Sequence, residues 1–130
     1  MQWALRKNDP LELLRVDEAT ALENATLIDR FDGTFKFHLD RYKYPNRYDV
    51  LDELEHREAA CKFIESLEKE IPEGNLNDAI FPFVRQFANH NREWFDRQNW
   101  PNIHKWLAFN LESEEFLECM TKHKQWVPDY

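Results

Sequence analysis

The chain has 130 residues, enough for one domain with a sizeable core, and 42% of them are hydrophobic. That content argues against disorder despite a net charge of −8, and the acidic balance argues against binding to nucleic acid or to an anionic membrane surface. Only two Gly are present, so tight hairpin turns are scarce and an all-β fold is disfavoured.

The sequence favours a cytoplasmic protein. The N-terminus has no signal-peptide pattern, and no apolar run approaches the roughly 20 residues that a bilayer crossing needs. Cys61 and Cys119 both lie in helix-like patterns. We interpret them as two reduced thiols, and the alternative is a single disulfide.

The N-terminal residues read as the end of a short helix followed by a connector. Trp3 and Leu5 are apolar, and a Pro at position 10 stops the pattern. We therefore divide the chain into a helix remnant at 1–8, a linker at 9–17 and a helical domain at 18–130.

Two long helices are predicted next. The first runs from about Glu18 to Tyr44 with an apolar stripe at helical spacing, and Gly33 within it permits a bend or a close approach. The second runs from about Val50 to Ile71, and its inner face includes Leu51 and Leu54. The short segment between them predicts an antiparallel hairpin. The remaining inner-face residues of the second helix are Ala60, Phe63, Ile64, Leu67 and Ile71.

The most apolar stretch, 79–88, predicts a buried central helix. Asn75 or Asn77 is its N-cap, and Asp78 completes a capping box if Asn75 is the cap. Pro82 is expected after the first turn, where it would bend the helix. Ile80, Phe83, Val84 and Phe87 recur at helical spacing along the same stretch.

The C-terminal third alternates between loop and helix. Residues 89–101 read as an aromatic loop, and a helix follows from Asn102 with Ile103, Trp106, Leu107 and Leu111 on one face. Ser113 caps a last short helix whose inner face is Phe116, Leu117 and Met120, and Trp126 in the tail is expected to pack back. With no strand pattern, the fold class is all-α: about five to six helices around the buried central one.

Catalytic and metal-binding signatures are weak. Cys119 and His123 are one helical turn apart, but two ligands do not make a metal site, so none is assigned. No nucleophile lies in a recognisable elbow, and no Gly-rich phosphate loop exists. Arg85, on the apolar helix, is expected to be partly buried and to pair with a carboxylate or a carbonyl.

Several segments resemble the C-terminal helical domain of bacterial glutathione S-transferases. Residues 79–88 resemble its central buried helix, 35–45 the end of its first helix, 56–60 its second helix, and 100–107 the segment before its last short helix. Residues 1–5 resemble the last helix of the N-terminal thioredoxin-like domain of that family. Two departures are the Asn or Gly in place of Ser or Thr at the central cap, and a shorter loop before it.

The resemblance implies a function only for this helical domain together with a thioredoxin-like domain. The catalytic residues and the glutathione site belong to the thioredoxin-like domain, so none is assigned here, no cofactor is expected in this chain, and the chain alone is predicted to be inactive. The helical domain would supply dimer contacts and the apolar side of a pocket for an electrophile. Phe31, Phe35, His38 and Trp126 are the candidates for that pocket, and core packing is the alternative for each.

The expected partners are a thioredoxin-like domain and a second copy in a homodimer, because exposed apolar residues near Trp3 and the first helix would favour association. An alternative function is a stand-alone interaction module, with the aromatic loop between Trp94 and Trp100 as its surface. A third reading is a fragment without an independent role.

Overall fold

The computed structural model describes residues 2–8, 18–71 and 78–128, and these are helical without a strand. None of the described helices combines the length and the apolarity that a membrane crossing requires. The α-helices are α1 (Gln2–Leu5), α2 (Glu18–Arg30), α3 (Lys36–Lys43), α4 (Glu53–Glu70), α5 (Phe81–His90), α6 (Arg92–Asp96), α7 (Pro101–Leu111) and α8 (Glu114–Cys119). The all-α fold class is confirmed. The predicted linker 9–17 lies outside the described residues.

The first long helix is continuous from α2 to α3, as predicted. A π-helical turn, Phe31–Phe35, joins the two parts and contains Gly33. No atom lies within 4 Å of the place where a Gly33 side chain would stand. Gly33 therefore coincides with a widened turn, and no neighbouring helix among the described residues approaches it closely.

The second long helix, α4, begins later than predicted. Asp52 is its N-cap, and its Oδ1 accepts a hydrogen bond from the backbone N–H of Leu54 (2.9 Å). Leu51 precedes this cap, is not carried on the helix and is fully exposed, so its assignment to the inner face is wrong. Leu54, in the first turn, is also exposed. The expected inner-face residues Ala60, Ile64 and Leu67 are buried.

The central helix is buried as predicted. Ile80, Val84, Phe87 and Ala88 are inaccessible or nearly so, and Phe83 is half-buried against the core. A 3₁₀ turn, Asp78–Ile80, precedes α5. Pro82 therefore lies within the first turn of α5, where its missing N–H has no helical partner, rather than beyond it.

The predicted cap of the central helix remains a prediction. Asn75 and Asn77 lie outside the described residues, as does the side chain of Asp78.

The core centres on Phe87 of α5. Its ring lies 5.8 Å from Phe35, 5.7 Å from Tyr42 and 6.2 Å from Phe95, measured between centroids, with mostly edge-to-face geometry. Aromatic pairs in this arrangement are favourable beyond the area they bury. The central helix is thus held between α3 on one side and α6 on the other.

The predicted aromatic loop contains a helix. In α6, Asn91 is the N-cap and its side chain accepts a hydrogen bond from the N–H of Trp94 (3.1 Å). Phe95 and Trp100 are buried in the core, and Trp94 is half-buried. The loop assignment is therefore wrong for 92–96, which form α6, whereas 97–100 are non-helical as predicted, and the buried aromatic side chains lie in the interior.

The C-terminal helices are only partly as expected. Ile103, Trp106 and Leu107 of α7 are buried, and Ser113 caps α8 by accepting from the N–H of Phe116 (3.2 Å), as predicted. The other apolar positions behave differently: Leu117, Met120 and Trp126 are exposed, Trp126 at 80%. The predictions that they pack inward are wrong, because α8 contacts the core through Phe116, which meets Phe81.

Candidate functional site

The structure does not gather the four predicted pocket residues into one surface. Phe31 and Phe35 are fully buried, with ring centroids 4.6 Å apart, and Phe63 of α4 packs edge-on against both. His38 is half-buried at the contact between α3 and α4, whereas Trp126 lies exposed in the tail. Of the four, His38 and Trp126 are accessible in this chain.

His38 faces His56 across the α3–α4 contact. Their Nδ1 atoms lie 2.9 Å apart, so one ring donates its proton and the other accepts it. Burial, followed by the neighbouring His56 and Arg41, lowers the pKa of His38. The pair holds one bridging proton, and protonating both rings would replace the hydrogen bond by repulsion between two cations.

Basic and aromatic side chains surround this pair at the end of the hairpin. The Arg41 guanidinium lies 3.4 Å from the ring centre of Phe37 and 4.5 Å from that of Tyr48. Arg47 lies 4.8 Å from the ring centre of Tyr44. Such contacts are typical cation–π geometry. We call Phe37, Arg41, Tyr44, Arg47, Tyr48 and Leu51 together the hairpin patch.

The turn that carries the patch is fixed by backbone hydrogen bonds. The N–H groups of Tyr48 and Val50 both donate to the carbonyl oxygen of Pro45 (3.2 and 3.0 Å). Asp49, between them, has a φ of 50°, in the left-handed region that few non-glycine residues other than Asn and Asp adopt. The sequence therefore holds Tyr48 and Leu51 in a defined turn.

A second group of polar and aromatic contacts lies between helices. The Arg57 guanidinium of α4 is 4.3 Å from the ring centre of Trp94 in α6, and the ring of Tyr42 in α3 is 4.4 Å from that of His90 in α5. Burial raises the pKa of Tyr42 and lowers that of His90. Both shifts favour the uncharged form, and the two ring contacts connect these helices.

The first helix has an exposed apolar face. None of the α2 side chains that the structure describes is buried, and Leu22 is 70% exposed. Leu27 and Ile28 are half-buried. Trp3 of α1 is also largely exposed. Leu27 packs against the core, so we call the solvent-exposed side of α2 around Leu22 the α2 face.

The thiols do not form a reactive site. Cys61 and Cys119 are both free, and burial raises the pKa of Cys61 to about 11, so it is protonated at neutral pH. Within the described residues, no group of three or more His, Cys, Asp or Glu side chains is placed to hold a metal ion.

Arg85 differs from its prediction. Its side chain is half-buried as predicted, but its buried Nε donates no hydrogen bond to a carboxylate or carbonyl of the described residues. The guanidinium instead lies 5.1 Å from the ring centre of Phe116 in α8. Arg85 thus connects α5 with α8 through an aromatic contact.

Glu68 is a structural residue that the sequence did not reveal. No side chain at Trp100 caps α7, and the Glu68 carboxylate of α4 accepts from the backbone N–H groups of Asn102 (3.1 Å) and Ile103 (2.9 Å). The lack of a capping side chain before α7 was the one sequence signal that an acid from another helix could accept hydrogen bonds from its first N–H groups. Glu68 borders a shallow polar cleft of about 380 Å³ with Glu65, Lys69, Gln98, Asn99 and Trp100.

No family model, curated protein or solved structure matches this chain.

Proposed function

We propose that this chain is a non-catalytic helical domain of the glutathione S-transferase type that packs its α2 face against a second protein surface. One contrast carries the proposal. Within one continuous helix, Phe31 and Phe35 are inaccessible to solvent, whereas Leu22 is 70% exposed. A helix that contributes no buried side chain among its described residues and exposes a large apolar one is expected to meet a partner surface.

The proposed kinship rests on the sequence resemblance, and the arrangement of the helices is compatible with it. The resemblance implies an all-α domain around a buried central helix, and α5 has that position between α3 and α6. The partner that it implies is a thioredoxin-like domain, with a second copy of the chain as the other candidate. The glutathione site and the catalytic residue would be supplied by the thioredoxin-like domain.

The chain's own contribution to an electrophile pocket would be small. His38 and Trp126 are accessible to a ligand, whereas Phe31 and Phe35 are buried and would anchor the first helix to the core. Cys61 offers no thiolate, because burial holds its pKa at about 11. We therefore expect no glutathione conjugation by the chain alone, and turnover of a standard aryl halide electrophile would contradict this part of the proposal.

Self-association of the chain tests whether the α2 face is a docking surface. In the absence of its partner domain, the chain is expected to self-associate, as measured by sedimentation equilibrium over a range of concentrations. Leu22→Asp should shift the equilibrium towards monomer. The matched control is Phe109→Asp in α7, because Phe109 is 74% exposed but lies on a different helix. Equal effects of the two variants, or a wild-type chain that remains monomeric, would contradict the proposal.

The second candidate is a stand-alone interaction module, and the hairpin patch favours it. The surface first suggested for this role is unsuitable, because Phe95 and Trp100 are buried. If the chain acts through the hairpin patch alone, Leu22→Asp leaves its binding to a partner protein unchanged and Leu51→Ser weakens that binding.

A further inference from the structure

The hairpin patch contains arginines whose charge is not neutralised. Among the described residues, no carboxylate forms an ion pair with Arg41 or Arg47. By contrast, Arg92 of α6 and Arg97 at its C-cap each pair with an acid one turn away. Arg41 donates one hydrogen bond, to the carbonyl oxygen of Phe37 (3.2 Å). Within the part of the chain that the structure describes, the Arg41 guanidinium makes no other hydrogen bond and no ion pair.

Aromatic rings hold both guanidinium groups in place. Arg41 lies over Phe37 and Tyr48, and Arg47 lies over Tyr44. A guanidinium that stacks on a ring keeps its edge available, and that edge matches the two oxygens of a carboxylate. Because the stacking restricts the side chains before any ligand arrives, less entropy is lost on binding.

Exposed apolar side chains follow these cations in the chain. Leu51 comes three residues after Tyr48, just beyond the turn, and is fully exposed, and Leu54 is exposed on the first turn of α4. Arg, Tyr and a neighbouring apolar side chain are the combination found at the centres of protein interfaces. This surface suits a ligand that carries both a carboxylate and an apolar side chain.

The acidic residues that follow the hairpin patch in the chain distinguish between possible partners. Asp49, Asp52, Glu53 and Glu55 follow the two arginines in the chain, and the protein as a whole carries −8. A nucleic acid presents phosphates at short, regular intervals and would meet these acids. A peptide carries separate carboxylates, so it can place them on Arg41 and Arg47 and place an apolar residue on Leu51.

From this arrangement, we propose that the hairpin patch binds an acidic peptide segment of a partner protein. Carboxylates of the segment contact Arg41 and Arg47, and an aliphatic or aromatic side chain of the segment packs on Leu51. The site is separate from the α2 face, so it stands whether or not that face binds a second domain.

Fluorescence anisotropy with a labelled probe tests this proposal. The probe is a ten-residue peptide with two central Leu, one Glu on each side of them and Ser elsewhere, and two related peptides replace both Glu by Gln or both Leu by Ala. The full chain should bind the first peptide, bind both related peptides more weakly, and lose affinity as salt is raised, since exposed charges are screened. Failure of the wild-type chain to bind the first peptide would overturn the proposal.

Variants locate the binding surface. Arg41→Gln with Arg47→Gln should weaken binding by about tenfold or more, because hydrogen bonds to charged groups are lost. The matched control is Arg92→Gln with Arg97→Gln, which removes the same charge from arginines already paired with Asp96 and Glu93. Equal weakening by the control would overturn the proposal.

Leu51→Ser provides a variant that cannot disturb the core, because Leu51 is fully exposed. It should weaken binding of the Leu-containing peptide and leave that of the Ala-containing peptide unchanged.

Two further measurements test whether the hairpin patch binds something other than an acidic peptide. Tighter binding of a labelled oligothymidylate than of the peptide, or self-association of the chain that the double Arg variant abolishes, would each overturn the assignment to an acidic peptide.

Discussion

The two parts of the first helix have the same backbone conformation but different surroundings. Phe31, Phe35, Leu39 and Tyr42, from the π turn and α3, are buried against α4 and α5. In α2, by contrast, none of the described side chains is buried. The difference teaches that helix formation and core membership are separate properties here. α3 is stabilised by packing, whereas α2 has no buried side chain among those described and exposes Leu22 to solvent or to a partner.

The largest expected effect is a difference in the free energy of unfolding between a mutation in the buried part of the first helix and one in its exposed part. Phe35→Ala should lower the free energy of unfolding by about 3–5 kcal/mol, because it leaves a cavity among Phe31, Phe63 and Phe87. Leu22→Ala should change it by less than about 0.5 kcal/mol, since the side chain is exposed. Urea denaturation of both variants measures the contrast, and similar losses would show that α2 is part of the core.

The next effect concerns a contact between two helices within the bundle. Glu68→Ala should lower the free energy of unfolding by about 1–2 kcal/mol, the range for loss of an N-cap, because the first N–H groups of α7 lose their acceptor. Glu65→Ala is the control, since Glu65 lies one turn earlier on α4 and is exposed. Urea denaturation measures both, and an equal change in the two variants would contradict the capping role.

The junction between the two parts gives a smaller effect of opposite sign. Gly33→Ala should raise stability by about 0.5–1 kcal/mol, because alanine favours the helix and no neighbour occupies the space for its side chain. Thermal denaturation measures this change. A loss of stability would indicate that the π turn requires glycine.

The smallest expected effect is a pH dependence that arises within the bundle. The folded-state pKa values of His38 and His90 are lowered, so the unfolded chain binds protons more readily and stability falls as the pH drops below about 6.5. Replacing both residues by Gln should flatten this loss between pH 7.5 and 5.5 in urea titrations. His123→Gln, in the exposed tail, is the control and should retain the wild-type slope.

The central helix and α7 could be predicted because their apolar residues recur every three or four positions in an uninterrupted run. The helix α6 was missed because it has five residues and mixes aromatic with charged side chains, a pattern that a loop also shows. Leu51 and Trp126 were misassigned because an isolated apolar residue is common on protein surfaces.

The candidate sites were less predictable than the fold. His38 was selected from the sequence, but its partner His56 lies 18 residues away and is brought to it by the hairpin packing. The acceptor role of Glu68 likewise depends on a residue 34 positions later in the chain. The pairing of side chains from different helices depends on their packing, which helical periodicity does not specify.

Hydrogen exchange followed by mass spectrometry tests the central claim most directly. In dilute solution, the amides of 18–30 should exchange much faster than those of 36–43, and raising the chain concentration to the range where it associates should protect 18–30 selectively. Protection of 18–30 already in dilute solution, or protection on association that falls on α7 and α8 instead, would contradict the claim that the exposed half of the first helix is the docking surface.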